Sequence, residues 1–335
     1  MPERELTRSV WGVDADEYPA SAPIEDRARF LLRYAILAPS SHNSQPWRFR
    51  VLGSGIEVAA DGRRRLDAAD PDRRELYVSV GCAVENLRIA AERFGFAPRV
   101  EYPDRIGADG VATVAFRGDG DPSNGRRSDL FDAITERRTS HGPFEDRPLD
   151  PAVRDDLAAT VTGAVGSQFV DDPAPKRAIG ELQAEADRLL MDDPAYRREL
   201  GHWIGNGALG SAWLAARIGQ AVVTHLDLGG REAAKNSRLV DRAPLVAVLT
   251  TDSDDPEARV EVGRVFERLA LTATAAGVAV HPMSQTLERP GLRTRLADLL
   301  GEDAGTPQHL FRLGYTDETA AHTPRWPIET FLADR

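Results

Sequence analysis

Two stretches of this 335-residue chain repeat one helical pattern. Residues 81–95 and residues 263–277 align without a gap, at an offset of 263 − 81 = 182 positions. The identical positions are Gly81 and Gly263, Glu85 and Glu267, Leu87 and Leu269, Ala91 and Ala273, and Gly95 and Gly277. One such match between amphipathic helices can arise by chance, but these coincidences favour an internal duplication. The pattern therefore predicts a chain built from two related halves.

Hydrophobic periodicity predicts a mixture of helices and strands. Helices are predicted over residues 26–38, 78–96 and 260–276. Strands are predicted over residues 47–52, 56–60, 111–116, 244–251 and 308–315. Asp150 followed by Pro151 is typical of a helix start, because aspartate caps the first turn and proline fits its first position. Together these elements indicate an α+β fold.

The sequence also contains a candidate boundary between the two halves. Residues 121–127 combine Pro, Ser, Asn and Gly, a composition typical of a linker. We therefore expect one half over residues 1–125 and another over residues 126–335. Residues 176–240 form a mostly helical stretch without a counterpart in the first half, which predicts an insertion.

Composition excludes several classes of function. The 42 basic and 53 acidic residues give a net charge of −11, which argues against a nucleic-acid partner and against anionic membranes. No apolar run is long enough for a membrane span, and the first residues lack the apolar core of a signal peptide, so we expect a cytoplasmic protein. Cys82 is the only cysteine and the seven histidines are dispersed, so neither a disulfide nor a metal site is predicted.

Residues 39–47 read Pro-Ser-Ser-His-Asn-Ser-Gln-Pro-Trp and lie between a predicted helix and a predicted strand. Serine and asparagine carry short groups that both donate and accept hydrogen bonds, as a ligand-binding loop requires. The plainer interpretation is that Ser40 and Ser41 close the helix and Trp47 belongs to the core. We favour the core for Trp47 and ligand contact for Ser40, Ser41 and Asn43.

Residues 136–144 read Glu-Arg-Arg-Thr-Ser-His-Gly-Pro-Phe. In an extended segment alternate side chains share a face, so Arg137, Thr139 and His141 would point the same way. Taken alone, the segment is better explained as an ordinary solvated run of charge.

Both motifs resemble the flavin-holding motifs of the FMN-dependent nitroreductase family, and the chain as a whole is similar to the duplicated, single-chain Acg-type branch. In the family each flavin lies at a homodimer interface, with the serine-asparagine loop from one subunit and the arginine segment from the other. Here each motif occurs once, in a different half. The resemblance implies a nitroreductase-like fold of two tandem repeats, an intramolecular pseudo-dimer with one FMN site and a helical lid. It also implies a monomer.

The resemblance further implies the residues that hold the flavin. Pro39, Ser40, Ser41 and Asn43 would contact the ribityl chain and the ring. In the second motif Arg137 would bind the phosphate, and His141 would lie beneath the N1/O2 edge of the ring, where the family has arginine or lysine. The other cofactor-binding residues implied are Arg138, Thr139, Pro282, Met283, Ser284, Gln285 and Arg325.

For the turn after the second repeat helix and for Arg325, the resemblance implies a particular contact with the flavin. The turn at residues 281–285 would supply backbone N–H groups to the O4/N5 edge of the ring, with Gln285 where the family has glycine. An ordinary turn is equally compatible with this stretch. Arg325 would be a second partner of the phosphate.

Three functions remain open on the sequence alone. The first is an oxidoreductase in which NAD(P)H passes hydride to flavin N5 and the flavin reduces a nitro compound or quinone. The second is a protein that sequesters FMN beneath the insertion without turnover; Trp203, Trp213 and Leu214 would give such a lid an apolar face. The third is a protein without flavin, either a small-molecule transferase or an interaction protein.

Overall fold

A computed structural model describes residues 6–107, 110–119, 128–208, 210 and 229–333 of the chain. The predicted boundary at residues 121–127 lies outside these ranges, as do Trp213 and Leu214 of the insertion. None of the helices within the described ranges combines the length and the apolarity that a membrane span requires.

The first half holds one four-stranded antiparallel sheet. Its elements in chain order are α1 (Ile24–Ala35), β1 (Trp47–Leu52), β2 (Gly55–Ala60), α2 (Arg74–Arg93), β3 (Phe96–Glu101) and β4 (Ala112–Asp119). The strands are ordered β1-β2-β4-β3, and α2 connects the second strand to the third.

The second half repeats this topology. Its elements are α3 (Ser128–Glu136), α4 (Pro151–Ala159), β5 (Val165–Val170), α5 (Pro173–Asp192), α6 (Pro194–Gly205), α7 (Gly229–Asp241), β6 (Leu245–Thr251), α8 (Pro256–Ala275), β7 (Ala279–Pro282), α9 (Pro290–Leu300) and β8 (Thr306–Gly314). The strand order β5-β6-β8-β7 is the order of the first sheet, and α8 again connects the second strand to the third. Helices α5, α6 and α7 interrupt the repeat between its first two strands, so the predicted insertion is helical in its described part.

The two halves meet along α2 and α8, the helices that carry the sequence repeat. Their backbones approach so closely at Gly81 and Gly263 that a Cβ atom on Gly81 would lie 2.1 Å from the carbonyl oxygen of Val260. The main hydrophobic core continues across this contact, from Trp47 in the first sheet to Phe311 in the second. The halves therefore fold around one shared core.

The end of the chain returns to the first half. The amide of Phe49 on β1 donates to the carbonyl of Phe331 at 2.8 Å, and the amide of Ala333 donates to the carbonyl of Phe49 at 2.8 Å. Thr7 and Arg325 exchange two further main-chain hydrogen bonds at 2.9 Å. This return places Arg325 beside residues of the first half, including Ile36, that are distant from it in the sequence.

Most predicted elements are present with shifted ends, and caps explain the largest shifts. Helix α2 begins four residues before the predicted start because the Asp70 carboxylate accepts hydrogen bonds from the amides of Glu75 and Leu76. Helix α8 also begins early, at Pro256, where Asp255 caps the amide of Ala258. The same aspartate–proline signal correctly predicted the start of α4.

Candidate functional site

A cavity of about 460 Å³ lies between the two halves, within the size range of small-molecule sites. Its walls are the loop after α1, the first turns of α2, the extended segment after α3, the turn after β7, and helices α5, α6 and α7. Both halves contribute, so the cavity exists only in the folded pseudo-dimer.

The cavity gathers most of the residues that the motifs predicted. Those that line it are Pro39, Ser40, Ser41, Asn43, Arg137, Thr139, His141, Pro282, Ser284, Gln285 and Arg325. The alternation predicted for the second motif is present, because Arg137, Thr139 and His141 line the cavity while Arg138 and Ser140 do not. The amide of Ser140 instead donates to the carbonyl of Val280, which holds the segment against β7.

Two predicted site residues lie outside the cavity. Arg138 is on the other face of the extended segment, where its guanidinium donates to the carbonyl of Glu136. Met283 is buried in a separate apolar cluster with Val248 and Leu310, and its amide already donates to the carbonyl of Leu310. Strand pairing therefore uses the backbone donor that the resemblance assigned to a ligand.

The loop after α1 has an unusual backbone. His42, Asn43 and Gln45 all have φ values between 50° and 53°, a conformation that L residues seldom adopt. Hydrogen bonds hold it, including one from the amide of Gln45 to Ser40 Oγ at 2.9 Å. Such left-handed residues cluster at functional sites, where the surrounding structure maintains them.

Asn43 joins this loop to two other parts of the chain. Its Nδ2 donates to the carbonyls of Ala208 and Pro324 at 2.7 and 2.8 Å, and its Oδ1 accepts from Arg325 Nη1 at 2.6 Å. The side chain is thus committed to the protein, and its role in the site is to fix the loop.

Arg325 is similarly committed. All five of its N–H groups have protein acceptors, among them the carbonyls of Ile36, Leu37 and Ala38 just beyond the C-terminal end of α1. Carbonyls at a helix end lack intrahelical partners, and a buried arginine satisfies them. Arg325 is therefore an anchor at the cavity wall with no donor left over for an anion.

Unlike Arg325, Arg137 has a hydrogen-bond donor that no described protein group accepts from. Its Nη2 donates to the carbonyl of Leu37 at 3.2 Å, and its buried Nε has no hydrogen-bond partner in the described part of the chain. The nearest carboxylate oxygen, Oε1 of Glu267, is 3.6 Å from Nε. Burial raises the pKa of Glu267 to about 7, although Arg137 and Arg325 both act to lower it. The charge of Arg137 is consequently only partly compensated within the protein.

Two buried carboxyl groups that line the cavity have pKa values shifted in opposite directions. Burial would raise the pKa of Glu75, but the charge of Arg74, the nearby His309 and a hydrogen bond from Ser41 hold that pKa below its usual range. Burial and the nearby Glu75 charge raise the pKa of Glu288 well above its usual range. Glu288 Oε2 has no hydrogen-bond partner among the described residues, so the surroundings favour ionisation of Glu75 and oppose ionisation of Glu288.

Helices α5 and α6, with the turn to Ala208, cover one side of the cavity; we call residues 173–208 the cap. The cap binds the first half through an apolar cluster that includes Leu66, Tyr196 and Trp203. The Glu199 carboxylate also accepts hydrogen bonds from the amides of Ala68 and Ala69 at 3.0 and 2.9 Å.

Sequence reasoning missed several lining residues, including His42, Glu75, Ser79, Tyr196, Glu288 and His309. A signal for some of them was present in α2. Glu75, Ser79 and Cys82 are four and three positions apart, so they share one helix face in an otherwise apolar stretch. Glu288 and His309 had no such signal, since they come from separate elements.

Proteins of similar sequence place the chain in a family. It is 30% identical over 329 residues to "Uncharacterized protein Rv3127" of Mycobacterium tuberculosis, covering 91% of this chain and 93% of that protein. It is 29% identical over 324 residues to "Putative NAD(P)H nitroreductase acg" of the same organism, covering 93% and 96%. No family model matches the chain. The similarity spans both halves and the insertion, and the chain belongs to the nitroreductase family.

Solved structures were also found to be similar. One is the FMN-dependent nitroreductase NfnB from Mycobacterium smegmatis in complex with NADPH, with a TM-score of 0.45 and 17% identity. That match covers 62% of this chain and 98% of the solved one. Another is a nitroreductase with bound FMN from Desulfitobacterium hafniense, with a TM-score of 0.40, 15% identity and 62% of this chain covered.

Proposed function

We propose that the protein binds FMN in the cavity between its halves and acts as an NAD(P)H-dependent oxidoreductase on nitro or quinone-type acceptors. The observation that carries the proposal is the meeting of two separate motifs. Ser40 and Ser41 come from the first half, Arg137 and His141 come from the second, and all four line one cavity. Relatives named as NAD(P)H nitroreductases support the same activity.

The residues present fit the chemical demands of FMN. The phosphate requires a cation with donors to spare, and Arg137 meets that need with its unpartnered Nε. The polar edge of the flavin ring requires hydrogen-bond donors and acceptors, and Ser284, Gln285 and His141 carry such groups at the cavity wall. Bound FMN would supply the redox chemistry, taking hydride from NAD(P)H at N5 and passing it to the acceptor.

The chain itself would hold the ligand and manage protons and water. Reduction of a nitro group or a quinone consumes protons, and Glu288 keeps a proton at the cavity wall because burial and Glu75 oppose its ionisation. The cap limits contact between the cavity and bulk water. Arg325 and Asn43 keep the loop after α1 in its strained conformation, so Ser40 and Ser41 are positioned before a ligand arrives.

A visible absorption spectrum of the purified protein tests the proposal. We expect a flavin band after incubation with FMN, and loss of that band when NADPH is added without oxygen. Nitro-compound or quinone reduction should then restore it. A protein that takes up no FMN would contradict the whole proposal.

One observation favours a second function, the sequestration of FMN with little turnover. The cap is held by Glu199, by the apolar cluster around Tyr196 and Trp203, and by the contact between Asn43 and the carbonyl of Ala208. A cap that stays closed would keep nicotinamide away from the flavin. Slow reduction by NADPH together with fast reduction by dithionite, a small reductant, would support this function.

Further properties follow from the same proposal. The single set of complementary motifs supports one FMN per chain. We also propose that the chain is a monomer of the Acg-type branch, with halves at residues 1–125 and 126–335, because α2 and α8 already form the interface that the family builds between subunits. Dependence on NAD(P)H supports a cytoplasmic location.

A further inference from the structure

His309 on β8 lies where the two halves of the cavity wall meet. Its Nδ1 is 3.1 Å from Oγ of Ser284, in the turn after β7, and 3.6 Å from Oε1 of Glu75, in the first turn of α2. Only 3% of His309 is exposed, and its other ring nitrogen, Nε2, has no hydrogen-bond partner among the described residues. All three residues line the cavity. A buried polar atom without a partner calls for an explanation, and a ligand in the cavity supplies one.

Neighbouring side chains hold the imidazole ring and the carboxylate in place. Phe266 on α8 packs edge-to-face against the ring, with ring centres 4.2 Å apart, and the ring centre of Phe311 lies 5.8 Å away. Glu75 is equally fixed, because Oε1 accepts from Arg74 Nη1 at 2.5 Å and Oε2 accepts from Ser41 Oγ at 2.9 Å. These contacts join the loop after α1 in the first half to the turn after β7 in the second.

The position of the ring proton follows from the two neighbours of Nδ1. The surroundings favour ionisation of Glu75, and an ionised carboxylate has only acceptors. Its charge therefore opposes a lone pair on Nδ1 of His309 and favours a proton there, which Ser284 Oγ can accept. The neutral ring then has its lone pair on Nε2, where a further proton makes the ring a cation. The ionised Glu75 compensates that charge.

Two other titratable side chains, His42 and Glu288, line the cavity near Glu75. Burial lowers the pKa of His42 to about 4, so its ring is neutral at pH 7. Glu288 holds a proton, but its loss would place a second negative charge beside Glu75, which burial and that charge oppose. His309 differs from both, because the transfer of a proton from its cationic form leaves a neutral ring.

We propose that His309 is the general acid for the acceptor, with Nε2 as the proton-donating atom and Glu75 as the positioning residue that keeps a proton on Nδ1. The inference rests on the proposed function. Reduction of a nitro group to a nitroso group consumes one hydride and one proton. The hydride brings both electrons, the proton moves from Nε2 to a nitro oxygen, one N–O bond breaks, and that oxygen leaves as water with both hydrogens. The neutral ring then takes its next proton from water.

The first test is nuclear magnetic resonance of the flavin-free protein with ¹⁵N-labelled histidine. Through-space contacts with Phe266 identify the ring of His309. We expect Nδ1 to carry a proton at neutral and at alkaline pH, and Glu75→Gln to increase the share of neutral rings with the proton on Nε2 instead. A proton on Nε2 alone in the unaltered protein would overturn the proposal. No flavin is needed, so this result is independent of the proposed function.

The second test separates proton transfer from electron transfer. Reduced flavin in the protein is reoxidised without oxygen by para-dinitrobenzene, which needs a proton, or by ferricyanide, which takes electrons alone. His309→Gln should slow the first reaction roughly 100-fold, the lower end of the usual contribution of a general acid, and spare the second. His309→Asn, which keeps a donor near Ser284, should behave alike. Equal slowing with both oxidants would show a merely structural role and would overturn the proposal.

His202→Gln is the matched control, because it removes an exposed histidine of α6 that lies outside the described cavity wall. Both oxidation rates should equal those of the unaltered protein. Glu75→Gln should reproduce the selective effect of His309→Gln in weaker form, since the acid remains but its proton is placed less well. If Glu288→Gln slows the reaction with para-dinitrobenzene selectively and His309→Gln does not, Glu288 is the donor and the proposal is wrong.

Failure of the flavin function and failure of the general-acid role give different results. A protein that binds no FMN would defeat the proposed function, while the tautomer of His309 would still test the arrangement of Glu75, His309 and Ser284. A His309→Gln protein that binds FMN and reduces para-dinitrobenzene at the full rate would defeat only the general-acid role. If neither variant of His309 folds, the tautomer in the unaltered protein and the kinetics of Glu75→Gln decide the question.

Discussion

Gly81 and Gly263 touch where the two central helices cross: a Cβ atom on either residue would lie 3.0 Å from the Cα atom of the other. These are the glycines that the sequence repeat aligns with each other. A contact between equivalent residues is what a two-fold axis produces in a symmetric dimer. The crossing of α2 and α8 therefore marks the pseudo-symmetry of the duplicated chain, and it explains why neither position carries a side chain.

Alanine at either glycine should destabilise the protein. A Cβ on residue 263 would lie 2.0 Å from the carbonyl oxygen of Val78, so the helices must separate. We expect Gly263→Ala to lower the free energy of unfolding by ~1–3 kcal/mol, the usual cost of overpacking a core. Urea denaturation measures the effect. Gly291→Ala, in open space on α9, is the control and should change stability by less than about 1 kcal/mol.

Substitutions of the two buried arginines of the cavity, Arg137 and Arg325, should have different effects. Arg137→Gln should weaken FMN binding roughly 10- to 100-fold, the loss of a charge-assisted hydrogen bond of ~1.5–3 kcal/mol. Riboflavin, which has no phosphate, should bind as before. Titration of the apoprotein with each ligand, followed by flavin fluorescence, gives both affinities.

Arg325→Gln should instead act on the fold. This change leaves carbonyls at the end of α1 without partners, and we expect about 3 kcal/mol or more of lost stability. FMN and riboflavin should then weaken together. A selective loss of FMN with an unchanged melting temperature would show that Arg325 binds the phosphate after all.

Loosening the cap should speed the reduction of bound flavin by NADPH. Glu199→Ala removes two hydrogen bonds to the amides of Ala68 and Ala69, which join the cap to the first half. We expect a severalfold faster reduction in anaerobic stopped-flow experiments, and no change with dithionite. Arg198→Ala, on the exposed side of the same helix, should leave both rates unchanged. Equal NADPH rates in all three proteins would mean that the cap does not control access.

Stability should fall as pH rises through the titration of Glu267. Burial raises the pKa of this carboxyl in the folded protein from 4.5 to about 7, so the folded state binds its proton more tightly than the unfolded state. The resulting stabilisation is complete below pH 4.5 and is lost as pH rises to about 7. Its size is on the order of 3 kcal/mol, from 1.36 kcal/mol for each pKa unit.

Glu267→Gln should remove that part of the pH dependence, because glutamine imitates the protonated acid. Unfolding curves at several pH values should show the variant and the unaltered protein equal near pH 4.5 and the variant more stable above pH 7. Glu181→Gln, an exposed carboxyl on α5, is the control. A constant difference across the whole range would show that Glu267 does not titrate there.

Local patterns were sufficient for the parts of the molecule that depend on neighbours in sequence. The helices around Gly81 and Gly263, the strands β1, β2, β4, β6 and β8 and the aspartate–proline start of α4 could be predicted, because periodicity and capping act over a few residues; β3, β5 and β7 were not predicted. The alternation of Arg137, Thr139 and His141 was predictable for the same reason. The position of Met283 outside the cavity could not be predicted, because its amide donates to the carbonyl of Leu310 on a neighbouring strand that local sequence does not reveal.

The sequence by itself determined that this chain has two related halves with complementary motifs, since both are patterns of residue type and spacing. Only the tertiary structure decided what the motif residues do. Arg137 and Arg325 are the same residue type in the sequence, yet acceptors on distant elements and on Thr323 occupy every donor of Arg325, whereas Nε of Arg137 has no hydrogen-bond partner among the described residues. His141 lies within hydrogen-bond distance of His281, and His281 within hydrogen-bond distance of Arg312, although His281 and Arg312 are more than a hundred residues away from His141 in the chain. Protonation and donor capacity depend on which groups are within about 3 Å, and folding alone brings such groups together.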